Sequence, residues 1–243
     1  SFYCNESKGN SNNGFSYYGF FNYKEGSGFR PNSGFKSSNI YTKIEKDILP
    51  SLSMSFELTY LNYLAQQAGG LTDKMFNENA YQSNRTRNWF SVNWFLYNMQ
   101  IKHDISINTT QKISLFGLQA SRDALGFRSN RVDQIDQSTE RDLINGIFKN
   151  LGFEYRILHK STVLDYKMIS LLGAKFYQAK NSSRQGPGSS DKDPNFDFQN
   201  NTYPYYNNQS EYKYPNLNMS VFGENIIYLN KNTSLTPGFR FEH

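Results

Sequence analysis

The residues of this chain best suited to bind something are its arginines. Ten are present, and eight of them, Arg30, Arg85, Arg87, Arg122, Arg128, Arg131, Arg141 and Arg184, fall in or beside four segments rich in glycine and polar residues. Only Arg156 and Arg240 lie elsewhere, while the sixteen lysines are scattered. A guanidinium offers a planar fork of donors that matches a carboxylate or phosphate in bidentate fashion, and it is more weakly hydrated than an ammonium. Arginines gathered in this way suggest a mouth that binds anions. The plainer reading is that they pair with acids nearby: Asp123, Asp133, Asp136, Glu140 and Asp142 share one segment with four of them.

Other chemistry finds little support. Cys4 stands alone, and His103, His159 and His243 are far apart, so neither a metal centre nor an activated nucleophile is expected. There is no glycine-rich phosphate loop, catalytic triad order or zinc spacing. The chain therefore reads as a non-enzyme with no cofactor of its own. The Asn-X-Ser/Thr triplets at 108–110 and 232–234 are chance matches in an asparagine-rich chain. A net charge of +5 with interspersed signs argues against a nucleic-acid partner.

The elements that must position the arginines read as strands. In 51–63, Leu52, Met54, Phe56, Leu58 and Tyr60 alternate with Ser51, Ser53, Ser55, Glu57 and Thr59. In 162–178, Leu164, Tyr166, Met168, Leu172, Ala174 and Phe176 oppose Asp165, Lys167 and Lys175. Nine strands are expected, over 14–23, 35–48, 51–64, 87–105, 110–121, 144–157, 162–178, 215–229 and 234–243. Lys149 breaks the apolar face of its strand, and a slip of period between 217 and 227 suggests a bulge.

The connections alternate in size. Short turns are expected at 49–51, around 108–109, at 159–161 and at 230–232, with long connections at 24–34, 65–86, 122–143 and 179–214. This alternation, repeated about every fifty to seventy residues, is that of an outer-membrane barrel with short periplasmic turns and long extracellular loops. Composition agrees: the chain is 37% hydrophobic yet 16% aromatic. Soluble domains reach about 45–50% apolar residues, and disordered chains are poor in aromatics. A barrel has a polar lumen, an apolar lipid face and aromatic girdles. The cluster Trp89, Phe90, Trp94, Phe95 and Tyr97 reads first as such a girdle, with ring stacking on a ligand as the lesser alternative.

The expected fold class is thus all-β, a transmembrane antiparallel up-and-down β-barrel in the bacterial outer membrane. Its lipid and lipopolysaccharide would be partners, and loop arginines could also contact the latter. Nine strands is an odd number, and bacterial single-chain barrels are even. No signal sequence opens the chain, and LTPGFRFEH stops within a strand pattern. The expectation is a partial, internal segment of a larger barrel. Loop lengths vary too much for a propeller or solenoid.

Specific segments carry a family resemblance from about residue 14 onward. GSGFRPNSGF (26–35), YLNYLAQQAGGLTD (60–73), YQSNRTRNWFSVNW (81–94), SLFGLQASRDALGFR (114–128) and LTPGFRFEH (235–243) resemble TonB-dependent outer-membrane receptors of the ferric-citrate type. The region 179–214 does not align.

The resemblance implies a 22-stranded barrel with an N-terminal plug and a TonB-binding box, both absent from this chain. It implies capture of a ferric chelate, ferric dicitrate, at the mouth, and import with energy relayed through TonB. The chelator supplies the iron ligands, so no protein metal ligand is implied. By position it implies ligand contacts from Arg30, Gln66, Gln67, Arg85, Arg87, Arg122 and Arg128, with Gly69 and Gly70 allowing a sharp loop turn. Alternatives are TonB-dependent uptake of another nutrient (siderophore, heme, cobalamin or glycan), a passive porin or adhesin barrel, or a soluble β-rich module.

Overall fold

A computed structural model describes residues 2–11, 14–129 and 131–243. The chain forms one antiparallel meander: β1 (Phe2–Ser11), β2 (Phe15–Gly26), β3 (Phe35–Leu49), β4 (Leu52–Gln66), β5 (Trp89–Ser106), β6 (Thr109–Gly126), β7 (Arg141–Val163), β8 (Tyr166–Gly188), β9 (Ser210–Asn230), β10 (Thr233–Leu235) and β11 (Gly238–Glu242). Each strand to β10 pairs with the next, and β10 and β11 both lie along β9. Among the described residues a single short helix, α1 (Asp73–Glu78), sits between β4 and β5, with the Thr72 hydroxyl accepting from the Met75 N–H. β1 and β9–β11 are the open edges of the sheet.

The reason for the alternation becomes clear across the strands. Positions directly opposite one another share a face. One row runs Tyr17, Ile44, Phe56, Met99, Leu115, Phe153, Phe176, Met219 from β2 to β9, with no polar residue in eight strands. Tyr17, Ile44, Phe56, Leu115, Phe153 and Met219 are exposed. An apolar side chain gains about 1.5–3 kcal/mol on leaving water, so a band of this length facing solvent would be costly. Facing hydrocarbon, it is satisfied.

The row one residue away holds Lys43, Glu57, Asn98, Phe116, Gly152, Tyr177 and Asn218. It carries ion pairs such as Lys43–Glu57 at 3.7 Å and, nearby, Arg156–Glu154 at 2.6 Å. This is the more polar face, the one that would line the lumen of a closed barrel.

β7 and β8 have 23 residues each, about twice the ~9–11 that cross a bilayer. The excess projects beyond the apolar band and carries the long loops.

Several boundaries depart from the sequence reading. β1 is an additional strand, and the segment 234–243 divides at Thr236–Pro237 into β10 and β11. Three of the long connections shorten, to 27–34, 127–140 and 189–209, and the other keeps its length but shifts by two residues to 67–88.

The β7–β8 turn lies at Leu164–Asp165, not at 159–161. Both residues have positive φ, 49° and 67°, the backbone of a two-residue hairpin turn. Neither is glycine or asparagine, so the usual signal is missing.

The suspected bulge in 217–227 is absent, since β9 pairs with β8 without interruption from Ser210 to Tyr228. The apparent slip arises because Gly223 and Asn225 occupy the apolar face, with the Phe239 ring packed where a Gly223 side chain would be.

Candidate functional site at the loop end

All four long loops emerge at one end of the sheet, and four arginines stitch them together in sequence. Arg30, in loop 27–34, donates from Nη2 to the Gly69 carbonyl and from Nη1 to the Gln82 carbonyl at 3.2 Å. Gly69 holds φ +79°, and an added Cβ would strike Asn84 and Arg85, so only glycine presents its carbonyl there. Gly70 is not among the positive-φ glycines.

Arg85, in loop 67–88, donates to the Ser129 hydroxyl at 2.8 Å and the Val132 carbonyl at 3.3 Å, and lies 5.1 Å above the Phe127 ring. Arg87 takes the Asp136 carboxylate with Nε and Nη2 at 2.9 and 2.6 Å. Its Nη1 reaches the carbonyls of Thr139 and Ser190 at 2.9 and 2.6 Å.

Arg141, at the start of β7, is wholly buried. It donates to the Ser189 carbonyl and hydroxyl, both at 2.7 Å, and to the carbonyls of Arg87 and Asp193, both at 2.9 Å. Trp89 adds Nε1–H to the Lys192 carbonyl at 2.7 Å. Loops are thus joined in the order 27–34, 67–88, 127–140, 189–209.

Charge at this girdle is balanced locally. Burial pushes the Asp136 carboxyl up, but the Arg87 hydrogen bonds, the Ser138 N–H and the charges of Arg87 and Arg85 outweigh it and hold it below its ordinary value. At the start of β7, Asp142 is buried and accepts from the Tyr206 hydroxyl and, at 3.1 Å, from Gln185, with Arg128 at 3.5 Å. Burial and the Asp142 contact raise the Tyr206 hydroxyl well above its usual range.

The residues singled out from sequence therefore divide by environment. Arg85 and Arg87 are buried and Arg30 half-buried, all bonded to loop backbone. Arg128 is exposed beside Asp142. Gln66 ends β4, its N–H on the Gly34 carbonyl, and Gln67 is exposed with its N–H on Asn88.

Arg122 differs from the rest. It is exposed, it has no hydrogen-bonding or ion-pair partner among the described residues, and it shares the face opposite the apolar row with Tyr63 and Val92 on one side and Gly146, Ser183 and Tyr212 on the other.

Arg141, the centre of the stitching, and the exposed Phe29–Tyr81 stack, centroids 4.8 Å apart across two loops, were not among the seven. Arg141 had a sequence signal only as one of the eight grouped arginines. The pairing of Phe29 with Tyr81 had none.

An all-β antiparallel meander with this loop asymmetry matches stretches of the barrels of TonB-dependent outer-membrane receptors. The unliganded ferric citrate transporter FecA superposes with TM-score 0.78 at 16% identity, over 97% of this chain and 33% of that one. BauA, the ferric preacinetobactin receptor from Acinetobacter baumannii, superposes with TM-score 0.71 at 9% identity, over 99% and 40%. The RagAB peptide transporter superposes with TM-score 0.64 at 13% identity, over 98% and 31%.

Identities this low establish the fold alone. The chain spans about a third of the first of these structures. No protein-family model and no curated protein matches its sequence. Among the described residues no helix is long and apolar enough to cross a membrane.

Proposed function

We propose that this chain is part of a TonB-dependent outer-membrane receptor barrel that binds a ferric chelate, ferric dicitrate, at its extracellular mouth and imports it with TonB-derived energy. The iron arrives within the chelate, so the protein contributes hydrogen bonds and charge rather than metal ligands.

The observation that carries this reading is Arg122: an exposed guanidinium, without a partner among the described residues, on what would be the lumenal wall, below a stitched loop girdle, where an anionic chelate would pass. Arg128, Gln66 and Gln67 lie nearer the loops and would add polar contacts. Arg30, Arg85 and Arg87 would hold the girdle in shape and meet ligand only at its edge. The motif resemblance in 60–73 and 114–128 supports the citrate class, and the fold likeness to FecA supports a receptor-type barrel.

A second reading, uptake of a different nutrient, is favoured by the equal reach of the likeness to RagAB over this chain. Equilibrium binding of radio-iron dicitrate to the detergent-purified full-length protein separates the two. Saturable binding that excess unlabelled ferric dicitrate displaces is expected. Binding of a catecholate chelate, heme or a peptide in its place would overturn the citrate assignment.

A further inference from the structure

Asn225 is an amide set within the apolar face. On β9 that face carries Leu217, Met219 and Val221 on its loop side and Ile227 and Leu229 on its turn side. Ser170 stands directly opposite Asn225 on β8. The apolar face of β8 runs from Tyr166 through Met168, Leu172 and Ala174 to Phe176, the length of the ~9–11 residues that cross a bilayer, and Ser170 interrupts it at mid-length. In a membrane the pair would lie at the depth of hydrocarbon rather than of headgroups.

Other polar groups on this face near the turns are paired across strands. Gln111 meets His103 and accepts from the Tyr155 hydroxyl, both at 3.0 Å, and Thr109 bonds His159 at 2.8 Å. Asn225 differs. Its Oδ1 is shielded from solvent with no hydrogen-bond partner, and neither its amide nitrogen nor the Ser170 hydroxyl is bonded by any described residue. An amide left unpaired in hydrocarbon is costly, and membrane proteins meet such groups by bonds to a neighbouring chain.

The surroundings have the shape of a socket beside a knob. A hollow of about 360 Å³ opens at Ser170, Asn225, Pro237 and Phe239. Toward the loops a more apolar hollow of about 460 Å³ lies among Phe176, Met219, Val221 and Phe241. The Phe239 and Phe241 rings, centroids 5.7 Å apart, stand exposed between them as a ridge on β11. Socket and ridge side by side on one surface are what a contact about a two-fold axis requires.

The chemistry narrows the occupant. An acyl chain could fill the hollows but could bond neither Asn225 nor Ser170. A different polypeptide would have to carry a matching polar pair at this depth. A second copy carries one by construction, because a two-fold axis along the membrane normal keeps every group at its own depth.

We propose that two copies of this protein associate through this face, within the membrane. The Asn225 amide, after a turn about its last bond, exchanges hydrogen bonds with Ser170 of the partner subunit, and the Phe239–Phe241 ridge of each copy enters the hollow of the other. The proposal rests on the outer-membrane barrel reading and not on the identity of the cargo.

The test uses the full-length protein, labelled with donor or acceptor fluorophore and reconstituted in phosphatidylcholine vesicles, with energy transfer followed as lipid dilutes the protein. Transfer that falls on dilution and fits two copies is expected. A hydrogen bond between membrane segments strengthens association from a few-fold to over tenfold, and the axis makes two such contacts. Asn225→Val should therefore weaken association roughly tenfold to a hundredfold, and Ser170→Ala should weaken it in the same direction. Thr42→Val, which removes a hydroxyl from the same face on β3, should match the parent. A parent that stays monomeric, unchanged association in both Asn225→Val and Ser170→Ala, or an equal loss in Thr42→Val would overturn the proposal while leaving the barrel intact. Recovery of a different polypeptide in place of the second copy would overturn it too. Failure of the unaltered protein to insert into lipid at all would overturn the barrel reading as well.

Discussion

Arg87 holds the carboxylate of Asp136, 49 residues away, with two hydrogen bonds of 2.9 and 2.6 Å. Its remaining nitrogen bridges the carbonyls of Thr139 and Ser190. One side chain from the second long loop thereby fixes the third and the fourth. Arg87→Ala would leave a largely buried carboxylate unpaired, which costs about 3–5 kcal/mol. The expected outcome is local: loops 127–140 and 189–209 become open to proteolysis and fast hydrogen exchange while β3–β6 stay protected. Arg87→Lys should not restore protection, because an ammonium cannot make the paired geometry.

The same pair sets a pH dependence. The Asp136 carboxyl is held below its reference value of 3.8, so its contribution is fully present above that value and is lost as pH falls through the lower, folded one. Pepsin cleavage of loop 127–140 should rise steeply below about pH 4. In Asp136→Asn, cleavage should be higher at neutral pH and nearly independent of pH.

At the opposite end of the strands, Leu164 and Asp165 both adopt left-handed backbone. That conformation costs an ordinary residue about 1–2 kcal/mol. Asp165→Gly should therefore stabilise the β7–β8 hairpin by about 1 kcal/mol, read as a higher urea midpoint for unfolding from detergent micelles. A lower midpoint would mean that the aspartate has an unrecognised partner there.

Arg141 tests whether the girdle depends on hydrogen bonds or on filled volume. Its guanidinium donates to four oxygens without any exposed surface. Arg141→Met keeps much of the bulk but leaves those oxygens unmet, each at about 1–3 kcal/mol where no water can replace the donor. Loop 189–209 should detach, and Trp89, whose indole bonds Lys192, should show a red-shifted emission.

How far the sequence revealed this arrangement depended on whether the cause was local. β4 was legible because serine and leucine alternate along it, and the turns at 50–51, 107–108 and 231–232 carry proline or asparagine. β1, FYCNESKGNS, has no alternation and was passed over. The β7–β8 turn was displaced because Leu164 carries no mark of positive φ and Asp165, without glycine or asparagine beside it, is a weak one. The unbroken apolar row from Tyr17 to Met219 depends on register between distant segments, which periodicity within one strand does not encode.

The arginines show the same division. Their capacity to grip carboxylates was legible, and the plainer reading, pairing with acids of loop 127–140, is what Arg87 does with Asp136. The carbonyl targets of Arg30, Arg85 and Arg141 were not legible, since every residue has a carbonyl.

Arg122 separates a receptor mouth from a merely well-tied set of loops. The decisive measurement is the dissociation constant of radio-iron dicitrate for the full-length protein and for Arg122→Ala, with protease resistance of the loops recorded on the same samples. Loss of a charge-assisted contact should weaken binding by roughly 10-fold to 100-fold with the loops still protected. Unchanged affinity in Arg122→Ala, or no ferric dicitrate binding by the unaltered protein, would contradict the proposed mouth.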